Sequence, residues 1–265
     1  MNMSLPILAR ALKDLAFPLT CLGCGAAVPP ENPFCPLCQD QIHLIADPVC
    51  SRCGRPMAEA AGSGLCSQCS SHPPVFDQAR AVALHQGPMA QALRSFKYRR
   101  HWASGSLLAG LVADLAPLEW ACQAQLLAPV PLHPLRLIAR GFNQALVLFR
   151  NLAAELPVEV HPRLLKRRRH TRPQVGLDPQ ARRRNVAGAF SLGKQGTSLI
   201  SGRTILLVDD VLTTGATVNE CTRVLKMGGA GKILVLTVSR AAGSSALATA
   251  EPGGYDQAQG GEVGH

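Results

Sequence analysis

The chain has 265 residues, 47% of them apolar but only 4% aromatic, and a formal net charge of +10. That length suits one ordinary domain plus a small accessory module, and the aliphatic composition suits a packed core rather than a fibrous or disordered chain. No apolar run is long enough to cross a bilayer and no secretory leader pattern is seen, so a cytoplasmic protein without stable membrane insertion is expected.

Residues 1–20 place apolar side chains at helical spacing interrupted by Lys13 and Asp14, which predicts a short amphipathic helix packed on the body. A cysteine-rich module over 21–72 follows, where eight of the ten cysteines form four CxxC pairs: Cys21 and Cys24, Cys35 and Cys38, Cys50 and Cys53, Cys66 and Cys69. A CxxC turn aims two thiolates at one metal, and two turns supply the tetrahedral sulfur set of zinc. Four pairs predict a double zinc ribbon with two closed, structural four-cysteine sites. The similar spacers allow sequential or cross-braced pairing; sequential pairing, first with second and third with fourth, is the expectation. Disulfides would need an oxidising compartment, and four redox pairs would crowd one small region. Cys122 and Cys221 stand singly in apolar surroundings and read as core thiols.

From about residue 76 to 240 the pattern alternates between the two periods. Strands are predicted at 76–85, 124–132, 204–210 and 232–240, and helices at 89–99, 106–115, 144–156 and 217–227. Alternation of this kind predicts an α/β fold, a parallel sheet flanked by helices. Between Arg163 and Arg184 nine Lys and Arg face a single acid, Asp178, so this one segment carries most of the net charge. Such a segment points to a polyanionic or phosphorylated partner. Residues 241–265 are small, polar and glycine-rich, and read as a disordered tail.

The stretch Thr204 to Thr217, "TILLVDDVLTTGAT", joins a buried strand to a hydroxyl-rich turn. Val208 ends the apolar run, and Asp209 and Asp210 follow at the strand's carboxyl end, where open α/β sheets bind ligands. Thr213, Thr214, Gly215, Ala216 and Thr217 lead into a helix, whose first amides, with the hydroxyls and a glycine free to take positive φ, suit a phosphate. The carboxylates repel phosphate but accept hydrogen bonds from hydroxyls. One ligand satisfies both halves, a ribose 5-phosphate.

This stretch resembles the 5-phosphoribosyl-1-pyrophosphate (PRPP) motif of type I phosphoribosyltransferases. Together with the cysteine pairs, "FKYRRH" (96–101), "VPLHPLRLIARGFNQA" (130–145) and "RRRHTRPQVGLDPQARRRNVAGAF" (167–190), it makes the chain similar to the ComF competence family, over roughly 21–240. The resemblance implies PRPP bound with Mg²⁺ and glycosyl transfer, with Asp209 and Asp210 as catalytic carboxylates on the ribose hydroxyls and 213–217 on the 5-phosphate. It places the pyrophosphate loop at 130–136, with Arg136 and Arg140 beside it and Asn143 and Gln144 shaping the same pocket. A flexible basic hood at 163–187 would bring Arg167, Arg172 and Gln174 over the pyrophosphate. It further implies a link to DNA uptake in natural transformation, or to use of DNA or gluconate as nutrients, with competence-machinery partners. The alternative is a non-catalytic factor that binds single-stranded DNA. Against a DNA-reading surface, the cysteine module is poor in Lys and Arg and the basic segment 163–184 has no Phe, Tyr or Trp.

Overall fold

The structure, a computed structural model, describes residues 20–29, 31–58, 62–98, 102–172, 174, 176–194 and 196–242. The helix expected over 1–20 and the tail expected over 241–265 lie outside the described residues apart from Thr20, Ala241 and Ala242, as do Arg99 to His101 of "FKYRRH".

The cysteine module comes first and is built twice on one plan. A turn carries one CxxC pair, and a one-turn helix begins just after the next cysteine: α1 (Pro36–Gln39) after Cys35 and α2 (Ser67–Ser71) after Cys66. The transferase-like part follows as β1 (Gln78–Leu84), α3 (Gly87–Tyr98), α4 (Trp102–Leu115), α5 (Leu118–Ala121), β2 (Leu126–Pro129), α6 (Pro134–Arg140), α7 (Gln144–Leu148), α8 (Arg150–Glu155) and β3 (Glu159–Val160). It continues with β4 (Leu165–Arg167), α9 (Pro179–Val186), β5 (Phe190–Leu192), α10 (Gly196–Ile200), β6 (Thr204–Leu212), α11 (Ala216–Met227) and β7 (Lys232–Arg240).

Among the described residues, five strands form a parallel sheet in the order β1-β7-β6-β2-β3. The central strands β6 and β7 are buried on both faces, which is why they read as unbroken aliphatic runs. Alternate β6 residues feed separate cores: Leu206 and Val208 pack with Leu93, Phe96, Leu108 and Leu148, while Ile205 and Leu207 pack with Cys221 and Leu225. β4 and β5 pair antiparallel in a small second sheet.

The ribbons lie along the free edge of β1. Ile45 N–H donates to the Val82 carbonyl at 2.9 Å, Leu84 N–H to the His43 carbonyl at 2.8 Å, and Ala79 N–H to the Arg52 carbonyl at 2.7 Å. These bonds satisfy an edge that would otherwise offer unpaired groups to another chain. The approach is tight enough to require glycine at 54: its φ is +67°, and a Cβ there would sit 2.5 Å from the Ala79 carbonyl oxygen.

Several boundaries differ from the sequence expectation. β6 runs on through Asp209 and Asp210 to Leu212, held by β7. The helix expected over 144–156 breaks at Phe149 (φ −103°, ψ 8°), whose ring is buried between α7 and α8. Cys221 is buried as expected, but Cys122 ends the short helix α5 and is exposed; the apolar residues near it belong to β2, not to its own surroundings.

Candidate functional site

From β2 the chain first adds β3 on one side and later returns to add β6 on the other, so the switch of direction falls between β2 and β6. A crevice opens outside the carboxyl ends of strands at such a point. Pairing of β2 with β6 ends at Pro129 opposite Val208, while β6 continues four residues further against β7. Asp209 and Asp210 therefore sit where β6 has outrun β2, bonded on one side and open on the other.

The two carboxylates differ in surroundings. Asp210 pairs with Lys97 Nζ at 2.5 Å, so α3 delivers a cation to the crevice. Asp209 accepts a hydrogen bond from the Asp210 N–H at 2.9 Å. Burial first, and then the Asp210 charge, push the Asp209 carboxyl up to about 8. A carboxyl so disfavoured as an anion is relieved by a cation or hydroxyl donors, and two adjacent carboxylates offer hard oxygen donors suited to Mg²⁺.

The turn Thr213 to Gly215 follows. Gly215 takes φ +75° as N-cap of α11, which frees the first amides of a twelve-residue helix. On the β2 side, Asn143 caps α7 through the Leu146 N–H at 3.4 Å, and its Nδ2 donates to the Val130 carbonyl at 3.0 Å. One side chain thus fixes both the end of β2 and the helix behind it.

The thiols form two clusters, Cys21, Cys24, Cys35 and Cys38, and Cys50, Cys53, Cys66 and Cys69, with all Sγ atoms of a cluster within 4.8 Å of one another. Pairing is sequential, as expected. Backbone N–H groups are aimed at sulfur in both: Cys35 N–H lies 3.3 Å from Cys21 Sγ, and Cys66 N–H lies 3.3 Å from Cys50 Sγ. Burial opposes thiolate formation, but the amides of Cys24, Cys35 and Gly23 outweigh it and draw Cys21 down to about 6. Cys50 falls to about 7 in the same way. Burial and the neighbouring sulfurs push Cys38, Cys53 and Cys69 the other way, so four thiolates together need a cation. Four-sulfur cages of this kind fit structural zinc, and each leaves no open coordination position.

Comparison with known proteins agrees with both halves. Residues 12–70 match the double zinc ribbon domain and residues 143–248 the phosphoribosyl transferase domain. The chain is 31% identical over 230 residues to competence protein F of Haemophilus influenzae, covering 85% of this chain and 98% of that protein. The chain belongs to the ComF family. It is also 31% identical over 197 residues to the DNA utilization protein YhgH of Escherichia coli, covering 72% and 84% of the two chains. Competence protein ComFC of Bacillus subtilis is 25% identical over 223 residues, covering 80% and 85%.

In this ComF-family chain the basic segment is more structured than a loose hood. Its ends are β4 and α9, Arg169 donates to the carbonyls of Asn185 and Ala187, and the Gly188 N–H donates to Glu220 of α11 at 2.6 Å. Arg167 is 7% exposed, lies over the Phe190 ring at 5.2 Å and donates to Thr171 Oγ1. Burial and the Arg136 charge lower its pKa. Arg136 reaches the same residue, donating to the Thr171 carbonyl at 2.7 Å. Arg140 donates to the buried Gln144 at 3.1 Å, and Arg172 is exposed, with Asn185 bonded to its carbonyl. Gln174 Nε2 donates to Thr217 Oγ1 at 2.8 Å, which brings the basic segment to the first turn of α11. Lys97, which the sequence marks only through its place in "FKYRRH" and to which it assigns no role, is the cation that reaches Asp210.

Proposed function

We propose that the crevice binds PRPP with Mg²⁺ and that this ComF-family protein transfers its ribosyl group, in the DNA uptake or DNA use for which its relatives are named. One observation carries the reading: Asp209 and Asp210 lie at the switch point, Asp210 paired with Lys97, and a turn with Gly215 at φ +75° follows within the same strand-to-helix connection. The ribose hydroxyls would donate to Asp209 and Asp210, and the 5-phosphate would accept from the amides at 214–217. Bound Mg²⁺ would neutralise the pyrophosphate as it departs. The carboxylates would stabilise positive charge developing on the ribose ring, with Lys97 holding Asp210 in place. The buried Arg167 would act through Thr171 and Arg136, positioning the pyrophosphate side rather than touching it.

A second reading, a non-catalytic binder of single-stranded DNA, is favoured by one observation. Arg163, Lys166, Arg168, Arg169, Arg172, Arg183 and Arg184 are all exposed along the hood. Pyrophosphate release from PRPP and Mg²⁺, measured across nucleobases, amines and single-stranded oligonucleotides, separates the two. Release that needs Asp209 and Asp210 supports transfer. Oligonucleotide binding without release, unchanged by Asp209→Asn with Asp210→Asn, supports the second.

A further inference from the structure

The second ribbon differs from the first in what lies against its thiols. Arg240, the last residue of β7, is 4% exposed, and its Nη1 donates to the Cys53 carbonyl oxygen. Among the described residues no carboxylate lies within ion-pair distance of this guanidinium, and its buried Nε has no hydrogen-bond partner. A buried guanidinium without counter-charge is costly. Four thiolates around one Zn²⁺ carry a net negative charge and supply it, so Arg240 suits the metal-loaded ribbon rather than the empty one. Cys21 and Cys38 of the first ribbon pack instead in an apolar cluster with Phe34, Ile42 and Met89.

Arg240 is also joined to the phosphate loop. In the β6–β7 register it pairs with Leu212, the residue before Thr213, and the Ala241 N–H donates to the Leu212 carbonyl at 2.9 Å. Cys53 and Cys69 face Thr213 to Ala216 across a cleft of about 560 Å³. The chain leaving Cys69 reaches the loop a second time. Val75 N–H donates to Asn219 Oδ1 at 2.7 Å, and the Asn219 N–H bonds the Gly215 carbonyl at 2.8 Å.

We propose that the second zinc centre and the phosphate loop are energetically coupled through Arg240, the loaded ribbon holding Leu212 to Gly215 in the shape that receives phosphate. The first centre serves stability alone. This rests on the reading of the loop as a phosphate site. Coupling of two binding sites is reciprocal, so phosphate ligand must tighten zinc at the second centre by the factor by which losing that zinc weakens the ligand.

The test uses the zinc-loaded full chain and a chromophoric chelator, with Mg²⁺ alone and with Mg²⁺ plus PRPP. PRPP should protect one zinc equivalent and leave the other unchanged, by a factor within the roughly 5- to 150-fold span of coupled sites. Hydrogen exchange over 50–69 and 21–38 identifies which ribbon opens as each equivalent leaves. Arg240→Gln should abolish the protection and make the same equivalent more labile, while Arg240→Lys, which keeps the charge but not the fork, should restore part of it. PRPP binding that protects both equivalents alike, or neither, overturns the coupling. If PRPP does not bind the native protein, the ligand reading fails, and amide exchange without ligand still decides the coupling. In Arg240→Gln, or in Arg240→Lys should the first not fold, exchange at 212–216 should quicken while that at 205–208 stays unchanged. Unaltered loop exchange overturns the proposal.

Discussion

The cysteine centres and the aspartate crevice hold negative charge in opposite ways. At the centres, backbone amides converge on sulfur and draw Cys21 to about 6 and Cys50 to about 7, while burial and neighbouring sulfurs raise Cys38, Cys53 and Cys69, so each cage begins with one stabilised thiolate and needs a cation to hold four. In the crevice, Asp209 has one amide and an adjacent like charge, and its carboxyl is pushed up to about 8. The cage needs only its metal, whereas in the crevice Lys97 pairs with Asp210 and Asp209 still calls for a further cation or hydroxyls. The difference separates a part that holds the molecule together from a part that waits for a ligand, and four experiments can break or sharpen it.

The largest effect should come from the metal. Structural zinc in small modules contributes on the order of 10 kcal/mol per site, comparable to the whole net stability of a typical domain. Chelation, or Cys50→Ser, should therefore unfold a ribbon and uncover the β1 edge that residues 43–45 and 52 now cover. Thermal unfolding and light scattering should show a lower midpoint and association. A chelated protein with its native midpoint would refute the structural role.

The crevice should behave in the reverse sense. Asp209→Asn with Asp210→Asn should weaken PRPP binding by about 100-fold or more, about 3 kcal/mol by the usual conversion, while leaving the midpoint unchanged or raised. Calorimetry and thermal unfolding on one sample would check both. A large loss of stability would mean that the pair supports the fold rather than a ligand.

The third effect is one of pH. Between about 4 and 8 the folded protein keeps a proton on Asp209 that the unfolded chain has already lost, so stability from this group falls as pH rises through that window. Urea midpoints of the native protein minus those of Asp209→Asn should show that slope, and a flat difference would count against the raised carboxyl. PRPP with Mg²⁺, favouring the anion, should bind more tightly as pH rises towards about 8.

Legibility in the sequence follows from range. The ribbons and the run from Val208 to Thr217 are written in adjacent residues, so residue type and spacing were enough to find them. Similar spacers leave the zinc pairing open to either arrangement, and it is the folded turns that gather the sulfurs sequentially. Lys97 meets Asp210, and Arg240 meets Cys53, across more than a hundred residues, through sheet register that no local pattern encodes. The basic segment misleads in another way: charge density suggests exposure for every arginine, yet Arg167 turns inward onto Phe190 and Thr171 because it alternates inside β4. β6 was expected to stop at Asp210, since carboxylates look like a strand end, but pairing with β7 carries it to Leu212.

The smallest effect tests how the two sides of the crevice are joined. Asn143 makes two bonds with one side chain, accepting from the Leu146 N–H and donating to the Val130 carbonyl. Asn143→Ser keeps an oxygen for the cap and loses the donor, whereas Asn143→Ala loses both. The difference between the variants should be the cap, about 1 kcal/mol, or about 2–4 °C in a chain of this size. What they share should be a looser Val130, visible as faster amide exchange at Val130 and Leu132 and weaker pyrophosphate binding. If Ser restores the midpoint and ligand affinity alike, the bond to Val130 carries nothing and the pyrophosphate side is held by Arg136 and Thr171 instead. If Ser restores the midpoint but not the affinity, Asn143 is what ties the end of β2 to the helix behind it, and the crevice is positioned from its β2 side as well as from the Asp209 side.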